Sequence, residues 1–107
     1  MTDDFKVREV LYSTGYGAGW STWMGDSRES REFALFYEPL IEALKRGDDI
    51  GPVVEQFEKE YEAKFGESPY TGGASGLRVG IVEGDFMIEE YDGAESIVER
   101  EDADLWF

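Results

Sequence analysis

The sequence predicts an α+β domain in the order β-α-α-β-β-β, with two helices packed on one face of a mainly antiparallel sheet. Three observations predict it. A β-branched and aromatic stretch, FKVREVLYS, precedes a glycine-rich segment near the start. Apolar residues then recur at steps of three and four from Phe33 to Phe65, the spacing of helical faces. After Gly76 the period drops to two, as it does in strands with one face covered. A length of 107 residues suits a single domain spanning 1–107.

The first strand is expected over Phe5 to Ser13, with imperfect alternation that leaves both faces partly covered. The stretch GYGAGWSTW, Gly15 to Trp23, follows it. Nine residues there hold three glycines, two tryptophans, one tyrosine and two hydroxyl side chains without a charge. Glycines permit a tight turn, and two indoles so close together need a cover, whether core, ligand or partner. Trp23 is expected to be the buried anchor, bracing the next helix against the Phe33–Tyr37 face. Trp20, flanked by Gly19 and Ser21, is expected to be the exposed binding residue.

The first helix is expected to begin at an Asp26 N-cap with Glu29 three residues on. Phe33, Phe36, Tyr37, Leu40, Ile41 and Leu44 make its apolar face. Pro39 predicts a kink or break near Tyr37–Glu38, since it lacks an amide proton and clashes with the preceding turn. Lys45 and Arg46 suit the negative end, and Gly47 closes it. Pro52 opens the second helix, whose face is Val54, Phe57, Tyr61 and Phe65. Its outer face pairs Glu55 with Lys59 and Glu60 with Lys64, and Gly66 and Pro69 end it.

A second glycine-rich loop, Ser68 to Gly76, leads to a strand with Leu77, Val79 and Ile81 on one face. Phe86 and Ile88 continue after a turn at Glu83-Gly84-Asp85. Asp92-Gly93 is a hairpin signal, with a fourth strand over Glu95 to Arg100. Counting strand directions, with the helices as an antiparallel hairpin, brings GYGAGWSTW, PYTGGASG and EYDG to one end of the sheet. The candidate ligand- or partner-binding residues are therefore Tyr16, Gly17, Gly19, Trp20, Ser21, Thr22, Tyr70, Thr71, Gly72, Glu90 and Asp92.

The chain has no cysteine and no histidine. Disulfides, thiolate chemistry and cysteine-ligated metals are excluded, and the commonest general base and metal ligand is missing. Neither the dinucleotide fingerprint nor the nucleotide-hydrolase phosphate loop fits: the third glycine position is Trp20, and no Gly-Lys-Ser/Thr follows. Aligning Gly93 with the invariant glycine of a calcium loop puts Ile88 at the first ligand position, which rejects that motif. Glu90, Asp92 and Glu95 read as a polar hairpin rather than a divalent site. The expectation is a non-enzyme with no catalytic residue, no metal and no cofactor.

Twenty-five acidic residues against ten basic ones give a net charge of −15. Direct nucleic-acid binding is not expected, because phosphate affinity comes from Lys and Arg. A basic partner is. The acids crowd toward the end: ten lie from Glu83 to Phe107 against Arg100 alone, and Glu99, Glu101, Asp102 and Asp104 form a candidate acidic surface. The N-terminal MTDDFKVREV lacks the apolar core of a secretory signal, and no apolar run approaches a membrane span. A soluble, cytoplasmic protein is expected.

GYGAGWSTW after a first strand, PYTGGA in the middle and IEEYDGAES near the end resemble small, mostly uncharacterised proteins encoded by phages and prophages. The resemblance spans most of the chain. It implies a small phage accessory protein acting in the host-cell cytoplasm, and it carries over no functional residue. Two functions stand on these observations. One is an acidic protein that binds and inhibits a host factor with a basic surface, such as a nuclease or defence component, by mimicking nucleic acid. The other is a small-ligand or nucleotide-binding module built from the glycine and aromatic loops.

Overall fold

The computed structural model describes residues 7–15, 17–24, 27–84 and 86–99. The architecture is α+β in the expected order, with the helical segment divided and the strands distributed over two two-stranded sheets. Strands β1 (Val7–Ser13) and β2 (Leu77–Glu83) pair antiparallel, Val7 opposite Glu83 and Ser13 opposite Leu77. Strands β3 (Phe86–Tyr91) and β4 (Ala94–Glu99) form a separate antiparallel pair, Phe86 opposite Glu99 and Tyr91 opposite Ala94. The expected single sheet is thus two ribbons stacked as layers.

The stacking follows from what β1 and β2 carry on their two faces. Leu11, Leu77 and Val79 lie on one face and join Leu40, Ile41, Phe57 and Tyr61 in a core beneath the helices. Val10 and Val82 lie on the other face and join Phe86 and Ile88 of the β3–β4 hairpin and Leu35 of the helical segment, with Tyr12, Phe36 and Ile97 packed alongside. Ile97 sits so close over Gly80 that a side chain there would collide with it. A ribbon apolar on both sides needs two covers: helices supply one, and the β3–β4 hairpin with Leu35 and Phe36 supplies the other. Arg8 pins the end where β2 passes to β3. Its guanidinium lies 5.4 Å from the Phe36 ring centroid and 5.3 Å from that of Phe86, and it donates to the Gly84 carbonyl at 3.1 Å.

Proline and glycine divide the helices. Helix α1 (Arg28–Leu35) is capped by Ser27, whose hydroxyl accepts from the Ser30 amide at 3.1 Å. The cap is therefore one residue later than the expected Asp26, which lies outside the described residues. The break falls at Phe36–Tyr37, and Pro39 occupies the first turn of α2 (Glu38–Arg46), where its missing amide proton leaves no bond unmade. Gly47, at φ 77°, closes α2 after Lys45 and Arg46. Pro52 opens α3 (Gly51–Phe65), and Gly66, at φ 78°, closes it. Glu55, Lys59, Glu60 and Lys64 are all exposed, as a solvated face requires. No helix among the described residues is long and apolar enough to cross a membrane.

Candidate functional site

The three loops meet at one end of the molecule, as the direction count predicts. The Thr14 amide donates to the Gly76 carbonyl at 3.0 Å, joining the first loop to the second. The Gly17 amide donates to the Asp92 carbonyl, joining the first to the third. Contact is too close for side chains at two positions. A Cβ on Gly73 would strike the Gly19 carbonyl oxygen, with the Gly19 carbonyl carbon at 2.8 Å. A Cβ on Gly93, at φ +89°, would strike the Ala18 nitrogen, with backbone atoms of Gly17 at 2.9 Å. The loops close on one another.

Glu95 holds this end together. On β4 it shares a face with Ile97, pointing into the molecule, and it is only 3% exposed. Its carboxylate accepts from the Ser13 amide at 2.9 Å, the Trp20 amide at 2.7 Å, the Thr22 amide at 3.1 Å and the Thr22 hydroxyl at 2.6 Å. A buried carboxylate is costly unless hydrogen-bonded, and here it accepts four donors, one from the end of β1 and three from the first loop. Glu90, Asp92 and Glu95 therefore form no ligand set, and among the described residues no three acidic side chains gather to hold a metal ion. Sequence reasoning missed this role for Glu95. The sequence signal was weak: Glu95 precedes Ile97 by two residues on one face of β4, but the position of Glu99 shares that face.

The two tryptophans exchange their expected places. Trp20 is fully buried: its ring packs on Phe57 with centroids 5.1 Å apart, and its indole N–H donates to the Ala34 carbonyl at 2.9 Å. Ala34 presents that carbonyl because the helix break at Phe36–Tyr37 ends α1 there. Trp20 is thus core, and Gly19 and Ser21 beside it are buried with it. Trp23, ending a single 3-10 turn (Ser21–Trp23), is 37% exposed. Its ring lies against Tyr70, itself 42% exposed, at 5.3 Å and a tilt of 41°. Its indole N–H donates to Glu90 Oε2 at 3.1 Å, and the Gly93 amide donates to the same oxygen at 2.6 Å. The Gly93 amide first, and the Trp23 indole second, hold the Glu90 carboxyl below its usual range.

Of the other candidate residues, Gly17, Gly72 and Asp92 are exposed, Asp92 at φ 51° in the hairpin turn. Thr22 turns inward to Glu95, and Thr71 turns away to donate to Glu58 on α3 at 2.7 Å. Tyr16, Glu101, Asp102 and Asp104 lie outside the described residues, as does the side chain of Glu99. Trp23 touches Tyr70 and Glu90 at the surface of the loop end, with Tyr91 and Asp92 exposed at the neighbouring hairpin turn.

Away from the loop end, a cleft of about 550 Å3 opens between α1, α2 and the end of α3, lined by Phe33, Phe36, Phe65, Glu29, Glu32 and Glu38 among others. No candidate residue read from the sequence lines it. Burial, reinforced by the nearby Glu60 carboxylate, pushes the adjoining Tyr37 hydroxyl up to about 12, so that phenol stays neutral at ordinary pH. Comparison of the chain with protein-family models, curated proteins and solved structures found no match.

Proposed function

We propose that this chain is an acidic accessory protein of phage type that binds and inhibits a host factor in the cytoplasm. The partner is a protein with a basic surface, such as a nuclease or another defence component, whose nucleic-acid groove the chain occupies. The observation that carries the reading is the net charge of −15 on 107 residues, with acids exposed on helices and strands alike. Glu29, Glu38, Glu55, Glu62, Glu89 and Glu90 are all exposed. Such a surface steers toward basic partners and repels nucleic acid. A non-catalytic role follows the same logic, since inhibition by occupancy needs no reacting group. The small-ligand reading has less support, because the loops that would line its hollow are packed on each other.

The test is capture of partners from bacterial lysate by the tagged chain at about 50 mM and about 150 mM salt. Exposed charge pairs are screened over about 8–10 Å at physiological ionic strength. The expected result is a captured protein with a basic groove, released by salt and displaced by duplex DNA. Neutralising Glu99, Glu101, Asp102 and Asp104 together should weaken capture further. Capture indifferent to salt, to DNA and to these substitutions would refute mimicry.

A further inference from the structure

We infer that Trp23, Tyr70 and Glu90 form a preorganised seat for an arginine side chain of the basic partner. The inference rests on the acidic-partner reading and names the chemistry of one contact within it. Exposed tryptophans usually lose rotamer freedom when they bind, which offsets part of their contact energy. Trp23 has already lost it. Its ring is fixed on one side by Tyr70 and at its nitrogen by Glu90, and Glu90 is fixed in turn by the Gly93 amide. Rigid, partly exposed aromatic residues of this kind are the common energetic centres of protein interfaces.

The chemistry of the seat selects a cation. The faces of both rings carry the negative part of the aromatic quadrupole. The positive edge of the indole, its N–H, already points at Glu90 and is not presented to an incoming anion. Both loop donors use Glu90 Oε2, leaving Oε1 for a donor from outside. Asp92, exposed two residues on, adds to the negative field. Of the three side chains, Tyr70 alone keeps a donor, its hydroxyl, for an incoming anion, and the Glu90 and Asp92 carboxylates beside it oppose a phosphate or carboxylate.

Among cations, the guanidinium fits best. It is planar, it stacks on aromatic faces, and its fork of donors reaches a carboxylate from the stacked position. An ammonium can do one or the other with less gain. The molecule stacks a guanidinium on aromatic rings internally as well, Arg8 lying over Phe36 and Phe86.

The probe is a synthetic peptide, acetyl-Gly-Arg-Gly-Arg-Gly-amide, beside a twin in which citrulline, the neutral isostere, replaces arginine. Binding is read from the indole N–H signals in amide-correlation NMR, with the Trp23 signal identified by its loss in Trp23→Phe. The arginine peptide should shift Trp23 and leave Trp20 in place, and the citrulline peptide should bind at least tenfold more weakly. Tyr70→Ala and Glu90→Gln should each weaken the arginine peptide severalfold while the Trp20 signal of the folded domain stays in place. Equal binding of the citrulline twin would overturn the inference. So would a larger Trp23 shift with adenosine monophosphate, which would make the platform a nucleobase stack. An arginine peptide that leaves the Trp23 signal unmoved refutes the seat alone, whereas salt-indifferent capture of the partner refutes the acidic reading.

Discussion

Trp20 and Trp23 stand three residues apart in the same loop, each beside a glutamate of the same hairpin, and the two halves of this pairing do opposite things. Glu90 and Glu95 are directly opposed on β3 and β4 and point to the same face. Like charges so placed repel unless each is met by donors. Glu95 is met by backbone amides and a hydroxyl and is buried with Trp20. Glu90 is met by an indole N–H and one amide and stays at the surface with Trp23. One half of the motif builds the domain, and the other half is held ready by it. Residue type does not separate them. The number of donors around each carboxylate does.

The sharpest way to break the comparison is to truncate the buried half. Trp20→Ala should cost about 3–5 kcal/mol, as loss of a large buried aromatic does. Trp23→Ala should cost only about 1 kcal/mol, the scale of one aromatic contact at a surface. Glu95→Ala belongs with Trp20→Ala, at about 3–5 kcal/mol, because the Ser13 and Trp20 amides would be left buried without an acceptor. Glu95→Gln is the finer instrument. Oε1 serves Ser13 while Oε2 serves Trp20 and Thr22, so an amide group must turn a donor toward donors on one side. It should still cost about 2 kcal/mol. Denaturant melts of the four variants decide the order, and a Trp23→Ala loss as large as that of Trp20→Ala would erase the distinction.

A smaller effect tests whether the loops are closed on one another. Gly73→Ala sets a methyl against the backbone of Gly19, which cannot swing aside as a side chain could, and should cost about 2 kcal/mol. Gly15→Ala adds the same methyl where nothing lies within 4 Å, and should leave the melt unchanged. Equal melts would mean that the second loop has room to move, and the hollow that a small ligand needs would return to consideration.

Much of this was legible in the sequence, and the exceptions have a common cause. The order of elements, the break at Pro39, the glycine stops at Gly47 and Gly66 and the convergence of three loops follow from local periodicity and from chain direction. The division of the strands into two separate sheets does not. Val10 and Val82 make the second face of β1–β2 apolar, and the imperfect alternation shows that this face is covered without showing by what. The exchange of Trp20 and Trp23 was less legible still. It depends on which indole reaches the Ala34 carbonyl and on a carboxylate 75 residues away in sequence. Propensity at Trp20 and Trp23 is the same, and contact across the chain decides between them.

The smallest expected effect sharpens the exposed half by pH. Glu90 has its carboxyl held below the ordinary value of 4.5, chiefly by the Gly93 amide and then by the Trp23 indole. A carboxyl whose folded value is depressed binds its proton more readily in the unfolded chain. Its contribution to stability is therefore complete above the unfolded value and is lost as pH falls through the folded one. Because Glu90 is solvent-exposed, the change should be too slight to read from a melt. It should be plain in the Trp23 indole N–H signal, which is expected to hold steady from neutral pH to about 5 and to move only as Glu90 gains its proton, below 4.5. The Trp20 indole, bonded to a backbone carbonyl that does not titrate, should stay fixed over the same range for as long as the fold persists. In Glu90→Gln the Trp23 transition should vanish. If the two indoles move together at one pH, the exposed pair is reporting a change in the whole domain, and the independence of the two halves fails.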